Sequence, residues 1–301
     1  MLYNVEKLQG KAMLKLYSYG KINLFLDIKG RLQNGYHLIQ SVMQSVDICD
    51  EIVLNSINEN KIIIECSDVS IPVNEKNTCY KAALLLKQAF CINSGIHIYI
   101  NKRIPAEAGL AGGSGNAAAV IKGLNVIWEL NLSEKEMCGF GLQIGADIPF
   151  CIMGGTYLAE GIGEELTILN DFEWNDILII KPEFSMSTSF VYNNLSPDCY
   201  NSYSKSNILN YIASCDYEKA ALSVSNTLEK VVEKYHPEII GIKELMLDNG
   251  AVSSIMTGSG SAVFAFFKDN TCLNNAYRTA SKIYPNTFKT KTIKEGVKFI
   301  D

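Results

Sequence analysis

Apolar and polar side chains alternate along the early chain, which is the pattern of a β-strand. Between Ile22 and Ile28 apolar residues recur at every second position, and Lys21 and Asn23 belong to the other series. Because successive side chains of a strand point to opposite faces, this spacing places Lys21 and Asn23 on one face. The pattern therefore predicts a strand that carries an amine and an amide side by side.

The same periodicities predict further strands and helices along the chain. Period-two or short apolar runs predict strands at 38–46, 50–55, 61–66, 96–100, 156–159, 166–168, 177–181 and 262–267. Apolar stripes at helical spacing predict helices at 78–90, from 117 to about 130, from 133 to about 143, at 217–235 and at 237–249. The segments 182–189 and 192–206 are expected to be irregular. Residues 1–12 have mixed charge and no clear period, so we expect an appendage, with Met13 as an alternative start.

A glycine-rich stretch joins the strand at 96–100 to a helical run. Residues 105–119 read Pro-Ala-Glu-Ala-Gly-Leu-Ala-Gly-Gly-Ser-Gly-Asn-Ala-Ala-Ala. Its four glycines leave the backbone free of side chains, and Ser114 and Asn116 are residue types that favour a helix N-cap. A glycine-rich turn at a helix start directs free N–H groups and the positive end of the helix dipole at one spot. The stretch therefore predicts a phosphate-binding loop.

Other interpretations of the glycines are weaker or less specific. Gly113, Gly115 and Ala118 match Gly-x-Gly-x-x-Ala, but Asn-Lys-Arg-Ile-Pro-Ala-Glu separates the stretch from its strand, and the next acid, Glu129, lies in the helical run. A dinucleotide-binding fold needs the motif directly after a strand, with an acid about 20 residues on. Neither Gly-Lys pair of the sequence is followed by Ser or Thr, so a Walker P-loop is absent. The interpretation of the stretch as a tight turn that binds no ligand stays open.

Composition is that of an ordinary globular protein. Of 301 residues, 48% are hydrophobic and 20% are charged, and this length predicts two domains with a large core. The net charge of -5 argues against a general nucleic-acid-binding surface. Nine cysteines without a Cys-x-x-Cys pair are typical of reduced thiols in a cytoplasm. No apolar run reaches the roughly 18 residues of a membrane helix, and the N-terminus has no apolar signal core.

Two further segments carry chemistry that is ambiguous by itself. Tyr36 and His37 follow the turn Asn34-Gly35 and would either pack on the surface or hold a planar base, with an aromatic face beside a hydrogen-bonding ring. Asp147 is a lone carboxylate in an apolar turn between Gly145 and Pro149. Acids in such turns more often cap neighbouring N–H groups than act as catalysts.

Three segments, in this order, resemble the kinase superfamily that includes galactokinase, homoserine kinase, mevalonate kinase and phosphomevalonate kinase. They are the strand with Lys21 and Asn23, the run Pro-x-x-x-Gly-Leu-x-Gly-Gly-Ser from Pro105, and Met-Thr-Gly-Ser-Gly from Met256. From about residue 14 onward, the chain is similar to the branch whose alcohol substrate carries a cytidine diphosphate, in isoprenoid precursor synthesis. The segments that carry this closer similarity are Gly20-Lys-Ile-Asn-Leu-Phe-Leu26, Asn34-Gly-Tyr-His37, Gly145-Ala-Asp-Ile-Pro-Phe150, Glu160-Gly-Ile-Gly-Glu164, and Lys181-Pro182 followed by Thr188.

The resemblance implies an α+β fold with two domains. Residues 1–160 would form an N-terminal ATP-binding kinase domain like domain 2 of ribosomal protein S5. Residues 161–301 would form a substrate-side domain, a ferredoxin-like α/β sandwich, with ATP and substrate in the cleft between the two. The implied reaction places the γ-phosphoryl group of ATP, with Mg²⁺, on a hydroxyl of a small molecule. The resemblance also implies a cytoplasmic monomer or homodimer that contacts neither nucleic acid nor a membrane.

The same resemblance implies roles for individual residues. Asp147 would accept the proton of the attacking hydroxyl, and Lys21 would hold that aspartate ionised. Substrate contacts are expected from Asn23, Tyr36, His37, Thr188 and Tyr192. ATP contacts are expected from Pro105, Gly109, Leu110, Ala111, Gly112, Gly113, Ser114, Gly115 and Asn116. A second glycine segment would support that loop, through Gly258, Ser259 and Gly260.

At a few site positions the chain departs from the pattern it resembles. Gly115 stands where many members have a second serine, Gly20 where alanine is usual, Asn34 where aspartate is usual, and Thr257 where serine is more common. The Mg²⁺ ligands therefore stay unassigned. Two rival functions stay open. One is a kinase of homoserine or mevalonate type, whose substrate has no base, and the other is a catalytically weak nucleotide-binding homologue.

Overall fold

The computed structural model describes residues 6–8 and 11–300, which form strands and helices in a mixed order. Its strands are β1 (Glu6–Leu8), β2 (Lys11–Arg31), β3 (His37–Ile57), β4 (Ile62–Cys66), β5 (Gly95–Asn101), β6 (Thr156–Glu160), β7 (Glu165–Ile168), β8 (Ile177–Lys181), β9 (Ser225–Asn226), β10 (Ser253–Met256), β11 (Val263–Phe266), β12 (Asn286–Thr290) and β13 (Val297–Ile300). Its helices are α1 (Thr78–Ala89), α2 (Gly112–Ile127), α3 (Glu134–Leu142), α4 (Ile148–Met153), α5 (Thr188–Asn193), α6 (Ser206–Ala213), α7 (Tyr217–Leu222), α8 (Glu229–Tyr235), α9 (Glu238–Asp248) and α10 (Asn270–Ala280).

Two sheets organise these elements. The first has the order β1-β2-β3-β5-β4, with β9 and β13 added to β2, β6 added to β3, and β7 added to β6. The second is antiparallel throughout its order β10-β11-β8-β12, and α9 and α10 pack against it. This four-stranded sheet with packed helices agrees with the α/β sandwich expected of the C-terminal half.

Strand β2 is buried on both of its faces. Ile22 and Leu24 are 0% and 1% exposed, and the polar series is hardly more accessible, since Lys21 is 4% and Asn23 is 2% exposed. The backbone N–H of Lys21 donates to the carbonyl oxygen of Leu110, 3.1 Å away, which ties β2 to the glycine-rich stretch. The predicted amine and amide therefore share a face, as expected, and this face is covered by the rest of the site.

Most predicted elements are present, several of them within one residue of the predicted ends. Strand β8 has the predicted bounds, and Ser133 caps α3 in the predicted capping box with Glu136. The two strands expected at 38–46 and 50–55 are one continuous strand, β3. The segments 182–189 and 192–206 are partly helical, because α5 begins at Thr188 and α6 at Ser206.

The single helix expected at 217–235 is wrong. The chain forms two short helices, α7 and α8, and between them Ser225 and Asn226 pair with β2 as the parallel strand β9. The apolar spacing over 217–235 is helical on both sides of the break, so periodicity alone did not reveal it. Tertiary pairing with β2 decides the local structure here.

The predictions for the N-terminal segment, for membrane helices and for the domain boundary have different outcomes. Of the appendage expected at 1–12, residues 6–8 pair as β1 with the start of β2, and residues 1–5 and 9–10 lie outside the described residues. Among residues 6–8 and 11–300, no helix has the length and apolar character needed to cross a membrane. Strands β9 and β13 come from the C-terminal half and join the first sheet, while the boundary at 160/161 stays a prediction.

Candidate active site

One cavity of about 1060 Å³ collects side chains from both halves of the chain. Apart from Gly115, every residue predicted for the site lines it. These residues are Lys21, Asn23, Tyr36, His37, Pro105, Gly109, Leu110, Ala111, Gly112, Gly113, Ser114, Asn116, Asp147, Thr188, Tyr192, Gly258, Ser259 and Gly260. Segments that are far apart in the sequence thus meet around one space, of the size that small-molecule sites have.

Lys21 and Asp147 face each other across this cavity. Lys21 Nζ lies 3.9 Å from Asp147 Oδ2, and the Asp147 side chain is 37% exposed whereas that of Lys21 is 5% exposed. Asp147 occupies the N-cap position of α4 but makes no side-chain hydrogen bond to the helix. The structural interpretation of Asp147 as a capping residue therefore fails, and its carboxylate is available to a ligand.

Asn23 holds the Lys21 ammonium in place. Its Oδ1 accepts a hydrogen bond from Lys21 Nζ at 2.7 Å and another from Thr257 Oγ1 at 3.2 Å. Its Nδ2 donates to Ser41 Oγ at 2.8 Å, and its backbone N–H donates to Thr257 Oγ1 at 3.0 Å. A direct substrate contact of Asn23 stays a prediction, but these bonds give the residue a task within the protein.

Helix α2 begins in the glycine-rich stretch, earlier than its sequence suggests. Its first residue is Gly112, and its N-cap is Ala111 in a left-handed conformation with φ 56°, without a side-chain cap bond. Ser114 and Asn116 were expected as N-caps, and this expectation is wrong, because both lie inside the first two turns. Residues 112–114, whose N–H groups have no acceptor within the helix, therefore line the cavity without a capping side chain.

Two glycine segments touch at Gly109. A Cβ atom on Gly109, whose φ is 75°, would lie 2.2 Å from the carbonyl oxygen of Thr257, so any larger residue would push the segments apart. Ala262 N–H donates to the carbonyl oxygen of Ala108 at 3.1 Å, and this hydrogen bond ties the two segments together. The late glycine segment thus packs directly against the early one, while its support of a phosphate-binding loop stays a prediction.

Gly115 does not face the cavity but packs against β2. A Cβ there would lie 2.6 Å from Ser18 Oγ and 3.0 Å from the carbonyl oxygen of Tyr19. Ser18 is fully buried, and its Oγ has no hydrogen-bond partner among residues 6–8 and 11–300. In this chain, then, a serine at position 115 has no room beside Ser18, and the expected contact of Gly115 with ATP phosphates stays untested.

The Tyr36–His37 end of the cavity combines an exposed ring with a buried one. Tyr36 is 59% exposed, while His37 is 6% exposed and packs 5.1 Å from the ring of Tyr192, centroid to centroid. Burial lowers the pKa of His37, and the nearby positive charge of Arg31 lowers it further. The imidazole is therefore neutral near pH 7, with one nitrogen able to donate and the other able to accept.

Thr188 links the start of α5 to the late glycine segment. Its Oγ1 lies 3.0 Å from Ser259 Oγ, within hydrogen-bond distance. Since α5 also carries Tyr192, this contact joins the wall beside His37 to the segment behind the glycine-rich stretch. This pair of side chains thereby connects the end of the cavity beside His37 to the end beside the glycine-rich stretch.

Sequence reasoning missed one end of the cavity and the residues that brace it. Ile71, Pro72, Thr78 and Ile100 line an end near the start of α2, where Thr78 Oγ1 donates to the carbonyl oxygen of Gly113 at 2.8 Å. The prediction of α1 at residue 78 was the available signal, since a helix start beside a loop often contributes to binding.

Lys102 was also missed, and it places a positive charge at the start of α2. Its Nζ bonds the buried Asp50 Oδ2 at 2.6 Å and would lie 2.9 Å from a Cβ on Gly112. Asp50 Oδ1 in turn accepts from the backbone N–H groups of Arg103 and Ile104, 2.7 and 2.8 Å away. A buried carboxylate thus fixes both the ammonium and the turn that leads into the glycine-rich stretch.

Asn226 braces the late glycine segment from β9. Its Nδ2 donates to the carbonyl oxygens of Met256 and Gly258, each 2.8 Å away, and its Oδ1 accepts from Leu228 N–H at 2.9 Å. Asn226 is 2% exposed, so these bonds are shielded from water. It escaped the sequence analysis because position 226 was read as the interior of a helix.

Fold and cavity together define a small-molecule kinase of the GHMP type, and comparison with known families agrees. The family described as GHMP kinases N terminal domain matches residues 77–155, and GHMP kinases C terminal matches residues 211–286. The chain belongs to the GHMP kinase family, and within it to the 4-diphosphocytidyl-2-C-methyl-D-erythritol kinases, because curated relatives of that name match nearly the whole chain.

Two such relatives and one solved structure give the extent of the similarity. The enzyme named 4-diphosphocytidyl-2-C-methyl-D-erythritol kinase from Caldicellulosiruptor bescii is 44% identical over 273 residues, 90% of this chain and 94% of its own. The one from Clostridioides difficile is 40% identical and covers 94% of this chain and 97% of its own. A crystal structure of 4-(cytidine 5'-diphospho)-2C-methyl-D-erythritol kinase superposes with a TM-score of 0.80 at 24% identity, over 93% of this chain and 99% of that one. The predicted family and fold class are confirmed.

Proposed function

We propose that this protein transfers the γ-phosphoryl group of ATP to the 2-hydroxyl of 4-diphosphocytidyl-2-C-methyl-D-erythritol. The observation that carries the proposal is the Lys21–Asp147 pair, 3.9 Å apart, which lies in the same cavity as the start of α2 and the Tyr36–His37 pair. A phosphate-binding helix start on one side and a base-binding pair on the other are what a kinase of this substrate needs. The rest of the proposal assigns each ligand to its part of the cavity.

ATP fits the end of the cavity at the start of α2. The backbone N–H groups there and the positive end of the helix dipole attract its phosphates. The apolar residues Ile71, Pro72 and Ile100 suit the adenine ring, which supplies the adenine pocket that the sequence left unassigned.

The cytidine group fits the other end. The exposed ring of Tyr36 offers a face on which the cytosine stacks, and base–aromatic stacking contributes roughly 1–3 kcal/mol. The neutral, buried imidazole of His37 can hydrogen-bond the edge of the base. This arrangement favours a substrate with a base over homoserine or mevalonate, which offer nothing for Tyr36 to stack on.

The reaction then takes place at Lys21 and Asp147. The substrate hydroxyl gives its proton to the Asp147 carboxylate while its oxygen bonds to the γ-phosphorus, and the bond from that phosphorus to the β–γ bridging oxygen breaks to release ADP. The Lys21 ammonium, fixed by Asn23, stabilises the negative charge on the attacking oxygen. Phosphoryl transfer depends mainly on positioning and on neutralising charge, so a weak base in the right place suffices.

The residues present fit a magnesium ion that is bound through ATP. Mg²⁺ usually takes one or two protein oxygens together with phosphates and water. Beside the phosphate end stand Ser114 and Asn116, and the Asn116 Oδ1 is buried with no hydrogen-bond partner among the described residues. In residues 6–8 and 11–300 no cluster of three or more His, Cys, Asp or Glu side chains forms a separate metal cage. Bound there, Mg²⁺ would neutralise charge on the phosphates.

A turnover assay tests the proposal against its rivals. The purified protein is incubated with MgATP and, in turn, 4-diphosphocytidyl-2-C-methyl-D-erythritol, homoserine and mevalonate, and ADP release is measured. We expect ADP only with the cytidine substrate. Turnover of homoserine or mevalonate instead would move the protein to another branch of the superfamily. ATP binding without phosphorylation of any alcohol would make it a weak nucleotide-binding homologue.

A further inference from the structure

The charged side chains around the cavity are unevenly distributed. They are Lys21, Arg31, Lys76, Lys102, Glu107 and Asp147. Lys21 is bonded to Asn23 and faces Asp147, and Lys102 is bonded to Asp50. Lys76 immediately precedes Asn77, the N-cap of α1, at the end assigned to ATP. Among the described residues, this leaves Arg31 as the cation at the Tyr36–His37 end.

Arg31 lies beside His37 at the base-binding end of the cavity. It is the last residue of β2 and pairs with His37, the first residue of β3. Its Nη2 lies 3.4 Å from Asn193 Oδ1 at the end of α5, so the guanidinium lies between the hairpin and the helix that carries Tyr192. Within residues 6–8 and 11–300 no carboxylate forms an ion pair with it.

The neighbours of Arg31 leave its charge uncompensated. Asn34, in the turn beside it, accepts a hydrogen bond from Tyr36 N–H at 3.1 Å and carries no charge. His37 is held neutral by burial and by Arg31 itself. An exposed guanidinium in a ligand cavity, with amide and imidazole neighbours and no acid, is arranged to receive an anion.

We propose that Arg31 binds the diphosphate that joins the cytidine to the methylerythritol of the substrate. This inference rests on the proposed function, which sets the base at Tyr36 and the reacting hydroxyl at Asp147, with the diphosphate between them. The planar guanidinium can donate two parallel N–H bonds to phosphate oxygens, which a lysine cannot do. Arg31 is therefore a specificity residue that distinguishes cytidine diphosphate compounds from cytidine itself.

Binding of CDP and of cytidine provides the test. Both dissociation constants are measured by calorimetry with the ATP site saturated by a non-hydrolysable ATP analogue and Mg²⁺, for the wild type, Arg31→Gln and Arg31→Lys. Arg278→Gln, an exposed arginine on α10, controls for the loss of one positive charge. We expect Arg31→Gln to raise the dissociation constant of CDP about tenfold or more, as for a lost charge-assisted hydrogen bond. The dissociation constant of cytidine should change less than twofold. Arg31→Lys should retain part of the CDP affinity, and the control should match the wild type.

Equal weakening of CDP and cytidine by Arg31→Gln would overturn the inference, because it would mean that Arg31 shapes the base pocket and does not read the phosphates. A CDP affinity within twofold of the wild type would overturn it as well. The proposed function is read separately from wild-type turnover of the cytidine substrate. If the wild type turns over the cytidine substrate and either of these results is found, only the role of Arg31 is rejected. If the wild type does not turn over this substrate, the proposed function itself is rejected, independently of the Arg31 variants.

Discussion

The Lys21 ammonium lies 3.9 Å from the Asp147 carboxylate, and Asn23 holds it there with a 2.7 Å hydrogen bond. Strand β2 supplies the lysine and the N-terminus of α4 supplies the aspartate. Because the two residues come from segments far apart in the sequence, their meeting in the cavity is the strongest geometric support for phosphoryl transfer.

Replacing Asp147 by asparagine should abolish proton acceptance while keeping the shape of the site. We expect turnover to fall by about 10²–10⁴-fold, the usual contribution of a general base, with the ATP dissociation constant within a factor of about two of the wild type. Single-turnover kinetics and ATP titration measure the two quantities. Asp248→Asn, at the exposed end of α9, is the matched control. Wild-type turnover by Asp147→Asn would remove the base assignment.

Tyr36→Ala should weaken binding of the cytidine substrate far more than binding of ATP. The ring is 59% exposed, so its loss should leave stability almost unchanged. Losing a stacking contact of roughly 1–3 kcal/mol corresponds to a KM for the cytidine substrate about 5- to 150-fold higher. Tyr36→Phe keeps the stacking face and should stay near the wild type. If both KM values rise together, Tyr36 has no specific contact with the base.

The pKa of His37 should lie below the ordinary value of about 6.5, because burial and then the charge of Arg31 lower it. The unfolded chain therefore binds more protons than the folded one between these two values, so His37 favours folding above pH 6.5 and this contribution is lost as the pH falls.

Affinity for the cytidine substrate should likewise be constant above neutrality and decline in acid. The chain has three histidines, which makes an NMR titration simple to assign. In Arg31→Gln the pKa should move upward, and an unchanged value would contradict the stated cause.

Gly115→Ser should be destabilising in this chain, although the resemblance in sequence made a second serine the expected residue at this position. The new Cβ would meet Ser18 Oγ at 2.6 Å, and overpacking of this kind costs roughly 1–3 kcal/mol. Ser18→Ala, which removes a buried hydroxyl without a described partner, should be neutral by itself and should restore part of the stability of Gly115→Ser. Urea unfolding of the two single variants and the double variant measures this coupling. Additive effects would show that the two positions do not compete for space.

Asn226→Ala should loosen the glycine segment behind Gly109. The carbonyl oxygens of Met256 and Gly258 would lose their donor, so we expect a loss of roughly 1–3 kcal/mol in the free energy of unfolding together with a higher KM for ATP. Asn249→Ala also removes an amide bonded to a carbonyl oxygen, that of Leu245, but away from the cavity. A loss of stability in both variants with an unchanged KM for ATP would give Asn226 a purely structural role.

Many strands, helices and caps of this protein could be predicted from the sequence, because they follow from preferences of neighbouring residues. The alternation around Lys21 and Asn23 fixed their common face, and the glycines marked 105–119 as the stretch in which a helix begins, although not its first residue. The Ser133–Glu136 box was visible because both partners lie within one turn. These features depend on neighbours in sequence, so a single chain suffices to read them.

Features that depend on distant partners were missed or misread. The break between α7 and α8 exists because β9 pairs with β2, and no residue near 225 signals that pairing. The left-handed Ala111 caps α2 where Ser114 and Asn116 were expected, and it lies two residues after Gly109, which packs against Thr257 from a distant part of the chain. The role of Asn226 and the apolar end near Ile71 likewise become visible only when separate segments are brought together.

The strand at the end of the described chain, β13, pairs with Lys15–Ser18 of β2. During synthesis on a ribosome, β2 emerges early, but this neighbour can pair with it only after residues 297–300 have been made. A nascent chain or a truncated fragment of residues 1–160 therefore presents an open strand edge, which is prone to pair with other chains. The edge of the strand that carries Lys21 is thus completed only after β13 has been made, and we expect deletion of residues 297–300 to impair expression of the protein.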